Sequence, residues 1–271
     1  MRQYISLMMV AARSRLWQVL LITAGTCAAE VLLFQRHLAA ISGQQWQDLY
    51  SALNNSHFLL VFAGGMVLVC LSLASFGMER GGSKLGYTLR RLPCGEARAT
   101  LVFALHHFLC LLIFWGGQMV TAWVLVDRFL NTPSASSVDY AFLYSPLLLF
   151  YDCDLIHGIL PGADWPIYIR NVVMLAALAM SAATCSYHWR RGARPFTILP
   201  LAAFVGLTFP ASAGMFSLPG PGDSLPTSLP NLYSNSDATV LLWGIFHLFI
   251  ILIVLCSTTY NLLRRDPYVD V

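Results

Sequence analysis

The sequence predicts an all-α, polytopic integral membrane protein with about six transmembrane helices. Three observations predict it. Of the 271 residues, 57% are hydrophobic and only 11% charged, against about 25% charged in an average soluble domain. The apolar residues fall in runs close to the roughly 20 residues that a helix needs to cross a bilayer. Basic residues gather between alternate runs, the bias of cytoplasmic loops. The chain reads as a single transmembrane domain, 1–271, with no internal repeat and no low-complexity tract.

The runs are Leu16–Phe34, Phe58–Phe76, Leu101–Val126, Asn171–Tyr187, Phe196–Met215 and Ala238–Leu262. The fifth carries Pro200 and Pro210, expected to kink or interrupt it; neighbouring helices can satisfy the freed carbonyls. Ahead of the first run, Arg2, Ser6 and Arg13 share one helical face. A helix lying in the interface over about 1–15 fits this pattern, and so does a simple extension of the first span. The stretch 140–151, "YAFLYSPLLLFY", is apolar, short and split by Pro146. Its length suits a re-entrant or interfacial segment, so 127–170 reads as an outer segment. The loop 217–237 has no Lys or Arg and is rich in Pro, Gly and Ser, which predicts an irregular outer loop.

Charge sets the expected orientation. With the N-terminus inside, thirteen of the sixteen basic residues lie on inner segments. Only Arg36, Arg128 and Arg170 lie outside. A multi-pass protein of the cell membrane with both termini cytoplasmic follows. The first apolar run extends past signal-peptide length, and Ala24 stands where a lipobox ending at Cys27 expects leucine. The seven cysteines are scattered through apolar runs without C-x-x-C or zinc spacing, so neither a disulfide framework nor a zinc site is expected.

Segment 79–100, "ERGGSKLGYTLRRLPCGEARAT", holds five basic residues between two apolar runs. Leu85, Leu89 and Leu92 share one helical face. Lys84, Arg91 and Arg98 recur every seven residues on another. Glycines 81, 82 and 86 loosen the start and Pro93 stops the helix. The pattern reads either as an ordinary positive loop on lipid phosphates or as a short amphipathic helix that moves the two spans it joins.

Glu79, Gly81, Gly82, Leu89, Leu92 and Pro93, set in this arrangement of spans, resemble the coupling loop of the permease subunits of ABC-2-type ABC transporters. Two features depart from that pattern: Cys94 and Gly95 follow the proline where a small hydroxyl residue is common, and the irregular outer segment falls between spans three and four. The resemblance implies that Glu79, Leu85, Leu89, Arg90, Arg91, Leu92 and Pro93 contact a separate ABC ATP-binding subunit. It also implies a second permease protomer, identical or related. The chain's only lysine, Lys84, is not in a phosphate-binding loop, so ATP and Mg are expected in the partner and no cofactor or enzymatic activity in this chain. The cargo of such an exporter is expected to be lipophilic or amphipathic. Two other readings fit the same residues: a non-transporting membrane anchor or signalling subunit, and an intramembrane enzyme. Basic residues spread over four membrane-edge segments argue against nucleic-acid binding.

Charged and polar groups inside the runs are the remaining candidates. Glu30 lies late in the first span, where a carboxylate faces a cavity or a partner; it either lines a substrate path with Gln118 and His247 or anchors the helix end near Arg36. His106, His107, Gln118 and His247 suit hydrogen bonds between helices. Asp152, Asp154 and His157 have metal-ligating chemistry but no evident fourth ligand, and so read as solvated. Trp165, Tyr168 and Arg170 read as an interfacial anchor for the fourth span.

Overall fold

Apolar runs of this length form helices because a helix satisfies every interior backbone group within its own segment. The computed structural model describes residues 2–41, 49–77, 96–131, 153–162, 165–190 and 198–211, and these contain helices and no strand. They are α1 (Arg2–Ile41), α2 (Leu49–Asn55), α3 (Phe58–Ala74), α4 (Glu96–Leu130), α5 (Asp154–Ile159), α6 (Trp165–Arg190) and α7 (Ile198–Ala211). Three of them, α1, α4 and α6, are long and apolar enough to cross a membrane; α2 and α3, bent by 57° from each other, would make a fourth if the pair is one span. The apolar helix α7 is shorter. The sixth expected run, 238–262, lies outside the described residues.

Several boundaries differ from expectation. α1 runs unbroken from Arg2 into the first span, so the described N-terminal segment is an extension of that span and not a separate in-plane helix. No Gly or Pro lies between Arg2 and Leu16 to stop it. α7 is also unbroken. Pro200 falls in its first turn, where the missing N–H has no helical partner to lose, and Pro210 is next to its last residue. The break occurs instead before α3, at His57, whose φ of 58° places it in the left-handed region. Histidine is among the residues that tolerate it. Ser56 Oγ donates to Leu53 O at 2.8 Å, closing α2 just before the turn.

The helices alternate in direction. Arg15 of α1 reaches Ser75, just past the end of α3. Phe76 stacks on Phe103 near the start of α4, with ring centroids 4.9 Å apart, and accepts from Ser186 near the end of α6. These four helix ends therefore meet at one end of the bundle. At the other end Phe209, late in α7, meets Phe62, early in α3, and Arg170, early in α6. α1 packs on α3 and α4, α3 on α6 and α7, and α4 on α6.

The bundle buries polar groups within an apolar core and also turns apolar residues outward. Glu30, His106, His107, Gln118, Arg170 and Asn171 are buried, while Trp17, Leu60, Leu105 and Val120 are more than half exposed. Such an arrangement is stable where the surrounding solvent is hydrocarbon. Along α1 the arginines Arg15 and Arg36 lie about 32 Å apart at 1.5 Å per residue, with Glu30 the only charge between them. Hydrocarbon is about 30 Å thick.

Candidate functional site

Small and hydroxylated residues bring α1 and α4 close at mid-membrane. A Cβ added to Gly117 would lie 2.6 Å from Thr23 Cγ2, and one added to Gly65 of α3 would lie 2.5 Å from Thr26 Oγ1. Thr23 and Thr26 turn their hydroxyls back to Val19 O and Ile22 O, both at 2.8 Å; Thr23 presents its methyl to Gly117, and Thr26 meets Gly65 with both its hydroxyl and its methyl. Thr121 does likewise with Gly117 O at 3.1 Å. Glycine in these positions is what lets the backbones approach, as small residues commonly do between membrane helices.

One turn beyond this contact, Glu30 faces Gln118. Glu30 is only 2% exposed. With its amide nitrogen turned to the carboxyl group, Gln118 donates to Glu30 Oε2 at 2.7 Å and to Oε1 at 3.1 Å. That orientation follows from the hydrogen-bond pattern. It leaves the amide oxygen toward Cys27 Sγ, 3.8 Å away. Two of the expected polar residues are thus partners across the α1–α4 seam. The third, His247, lies outside the described residues.

The basic end of the bundle holds a second cluster. Arg15 donates through Nη1 to Gln18 Oε1 at 2.6 Å and through Nη2 to Ser75 O at 2.7 Å. Ser72 Oγ donates to the same Gln18 oxygen at 3.1 Å. The guanidinium thereby sits on the last carbonyls of α3, where the helix dipole favours a cation. Ser186 Oγ donates to Phe76 O at 2.8 Å, tying in α6. Segment 78–95 joins this end of α3 to the start of α4. The expected contact residues Glu79, Leu85, Leu89, Arg90, Arg91, Leu92 and Pro93 all fall in it and lie outside the described residues.

At the opposite end, Arg170 is turned inward, 1% exposed, and not outward as an interfacial anchor. Its Nε and Nη2 donate to Asn171 Oδ1 at 3.1 and 2.8 Å, and Nη2 also to Phe209 O at 2.9 Å. Asn171 Nδ2 donates to Gly158 O at 3.0 Å, and Trp115 Nε1 donates to Ile159 O at 2.8 Å. These bonds fix the short helix α5 against α4 and α6, and α6 against α7. The physical reason for the inward turn is that α5 and the end of α7 present backbone carbonyls that need donors. Trp165 is exposed, and Tyr168 donates to Gly162 O at 3.3 Å.

His106 lies one turn from Cys110, with 3.7 Å between Nε2 and Sγ. The His107 ring meets Phe76 edge-on. His157 is buried in α5, while Asp152 and the Asp154 side chain lie outside what is described. Among the described residues no group of three His, Cys, Asp or Glu side chains could hold a metal ion. Sequence reasoning missed the Arg15–Gln18–Ser75 cluster and the role of Asn171. Each depends on a backbone carbonyl from a distant helix, which no motif encodes. Protein-family models, curated proteins and solved structures give no match to the chain.

Proposed function

We propose that the chain is the membrane-spanning permease subunit of an ATP-driven ABC exporter of the ABC-2 type, working with a separate ATP-binding subunit and a second permease protomer. Six spans, cytoplasmic termini and an apolar or amphipathic cargo are parts of this reading. The observation that carries it is mechanical. Segment 79–100, whose last five residues open α4, has the leucine stripe, basic face and proline stop of a coupling element, and it connects two helix ends that are each fastened to others. Ser75 is bound to Arg15 of α1, Phe76 to Ser186 of α6 and to Phe103 of α4. A displacement of this segment is thereby passed to four helices at once. A ligand-driven switch needs such a two-state element to bias, and nucleotide binding in a partner would supply the bias.

The test is a pull-down of the tagged chain from membranes in mild detergent, with mass spectrometry and an ATPase assay, beside the double substitution Arg90→Glu, Arg91→Glu. The expected result is a co-purifying P-loop ATPase that is lost with the substituted chain. Recovery of no ATPase with either form would remove the permease reading and leave the segment as a topological signal.

A further inference from the structure

A groove of about 510 Å³ opens at the basic end between α1, α3 and α6, its walls including Arg15, Gln18, Leu21, Leu71, Ser72 and Trp189. We propose that it is a binding site for an anionic phospholipid of the leaflet facing that end. The inference does not depend on the permease reading.

The level of the groove comes first. Arg15 stands about 32 Å along α1 from Arg36, one hydrocarbon thickness, so it lies where headgroups begin. Exposed Trp17 is at the same level, and tryptophan favours that interface. Trp189 brings the end of α6 to it.

The chemistry is graded along the membrane normal. At headgroup depth the wall carries the Arg15 guanidinium, the Ser72 hydroxyl and the Gln18 amide. Gln18 offers its oxygen to Arg15 and Ser72, which leaves its amide N–H groups as donors at the groove. Arg13, two residues before Arg15, exposed and off the groove wall, adds positive charge nearby. The wall turns apolar with Leu71, beside Ser72, and with Leu21 and Ile22, about one turn deeper than Gln18. A phosphate wants N–H donors and positive charge, and an acyl chain wants the leucines. Basic pockets between helices at a membrane edge recognise anionic headgroups on these grounds. A soluble phosphate ester would use the upper wall and leave the lower one wet.

The test is native mass spectrometry of the full chain in mild detergent, titrated with phosphatidylglycerol and, separately, with phosphatidylcholine. The expected result is a preference for phosphatidylglycerol of roughly fivefold, the contribution of one cationic side chain near a headgroup. Leu21→Trp, which fills the groove from an exposed position, should abolish the preference, and Gln18→Leu should lower it. Arg13→Gln, off the groove wall, should leave most of it. Circular dichroism and elution volume check that each variant is folded. Equal binding of the two lipids overturns the proposal. So does a preference that survives Leu21→Trp, or one that falls as far with Arg13→Gln, since both describe diffuse charge. Occupation of the groove by the chain's own last apolar stretch, 238–262, predicts no bound lipid and overturns it as well.

Discussion

Gly117→Ala tests the α1–α4 seam most directly. The added methyl would sit 2.6 Å from Thr23 Cγ2, whereas carbon atoms pack at about 3.5–4.0 Å. The helices must part by about 1 Å, or Thr23 must leave its rotamer. Leaving it would break the hydroxyl bond to Val19 O at 2.8 Å. Overpacking of this kind costs about 1–3 kcal/mol. At about 2–4 °C per kcal/mol for a chain of this size, the midpoint should fall by roughly 2–10 °C. Thr23→Ser deletes the offending methyl and keeps the hydroxyl, so on its own it should cost only about 0.8 kcal/mol. Combined with Gly117→Ala it should restore most of the loss, a coupling of about 1–2 kcal/mol in the double-mutant cycle. The assay is thermal unfolding in detergent, followed with a dye that fluoresces on reacting with thiols. Cys70, Cys110, Cys153 and Cys185 are buried and report the transition. If Gly117→Ala is as stable as the parent chain, or if Thr23→Ser fails to rescue it, the helices do not meet as described.

The same assay reaches the other clusters. Glu30→Gln keeps a polar partner for Gln118 and should cost less than about 1 kcal/mol, the usual worth of an interhelical hydrogen bond; Glu30→Ala leaves the amide buried without it and should cost about 1–3 kcal/mol. The reverse ranking would mean that Glu30 does not face Gln118. Arg170→Lys cannot fork between Asn171 Oδ1 and Phe209 O and should lose about 1.5–3 kcal/mol; an unchanged midpoint would contradict the buried fork. Trp115→Phe removes the donor to Ile159 O at a cost of about 0.5–1.5 kcal/mol. It should speed maleimide labelling of Cys153, which is only 2% exposed, and an unaltered labelling rate would show that this bond does not hold α5.

What was legible in the sequence is what depends on local pattern. The centres of α1, α3, α4 and α6 follow from uninterrupted apolar runs, and Glu30 and Gln118 stand out because polar groups are costly there. Their partnership was not legible. It depends on the register between two helices far apart in the chain, set by Gly117 against Thr23. Arg170 shows the opposite failure. Beside Trp165 and Tyr168 it has the composition of an interfacial anchor, yet open carbonyls at Phe209 and, through Asn171, at Gly158 draw it inward. Arg15 follows the same rule at the other end, where Ser75 O is the acceptor. In each case a long cation satisfies a helix end contributed by another part of the chain. Sequence pattern supplies the cation but not the acceptor.

These contacts also constrain how a transporting bundle could move. α1 and α4 are held at mid-membrane by methyl-on-glycine contacts and by the Glu30–Gln118 pair. Such contacts have no slack, since any parting strands a carboxyl group and an amide in hydrocarbon. α3 meets α7 as closely, because a Cβ on Gly206 would lie 2.8 Å from Ala63 Cα. α6 is bolted to α7 through Arg170. The basic end differs: Arg15, Gln18, Ser72 and Ser75 join α1 to α3 through exchangeable polar bonds beside an open groove. On the permease reading, α1 with α4, and α3 with α6 and α7, would each move as a unit, pivoting where Gly65 of α3 meets Thr26 of α1, with the larger excursion near Arg15. A disulfide engineered across the α1–α4 seam would then spare transport, whereas one joining residue 18 to residue 72 would block it. Loss of transport from both, or from neither, would place the moving joint elsewhere.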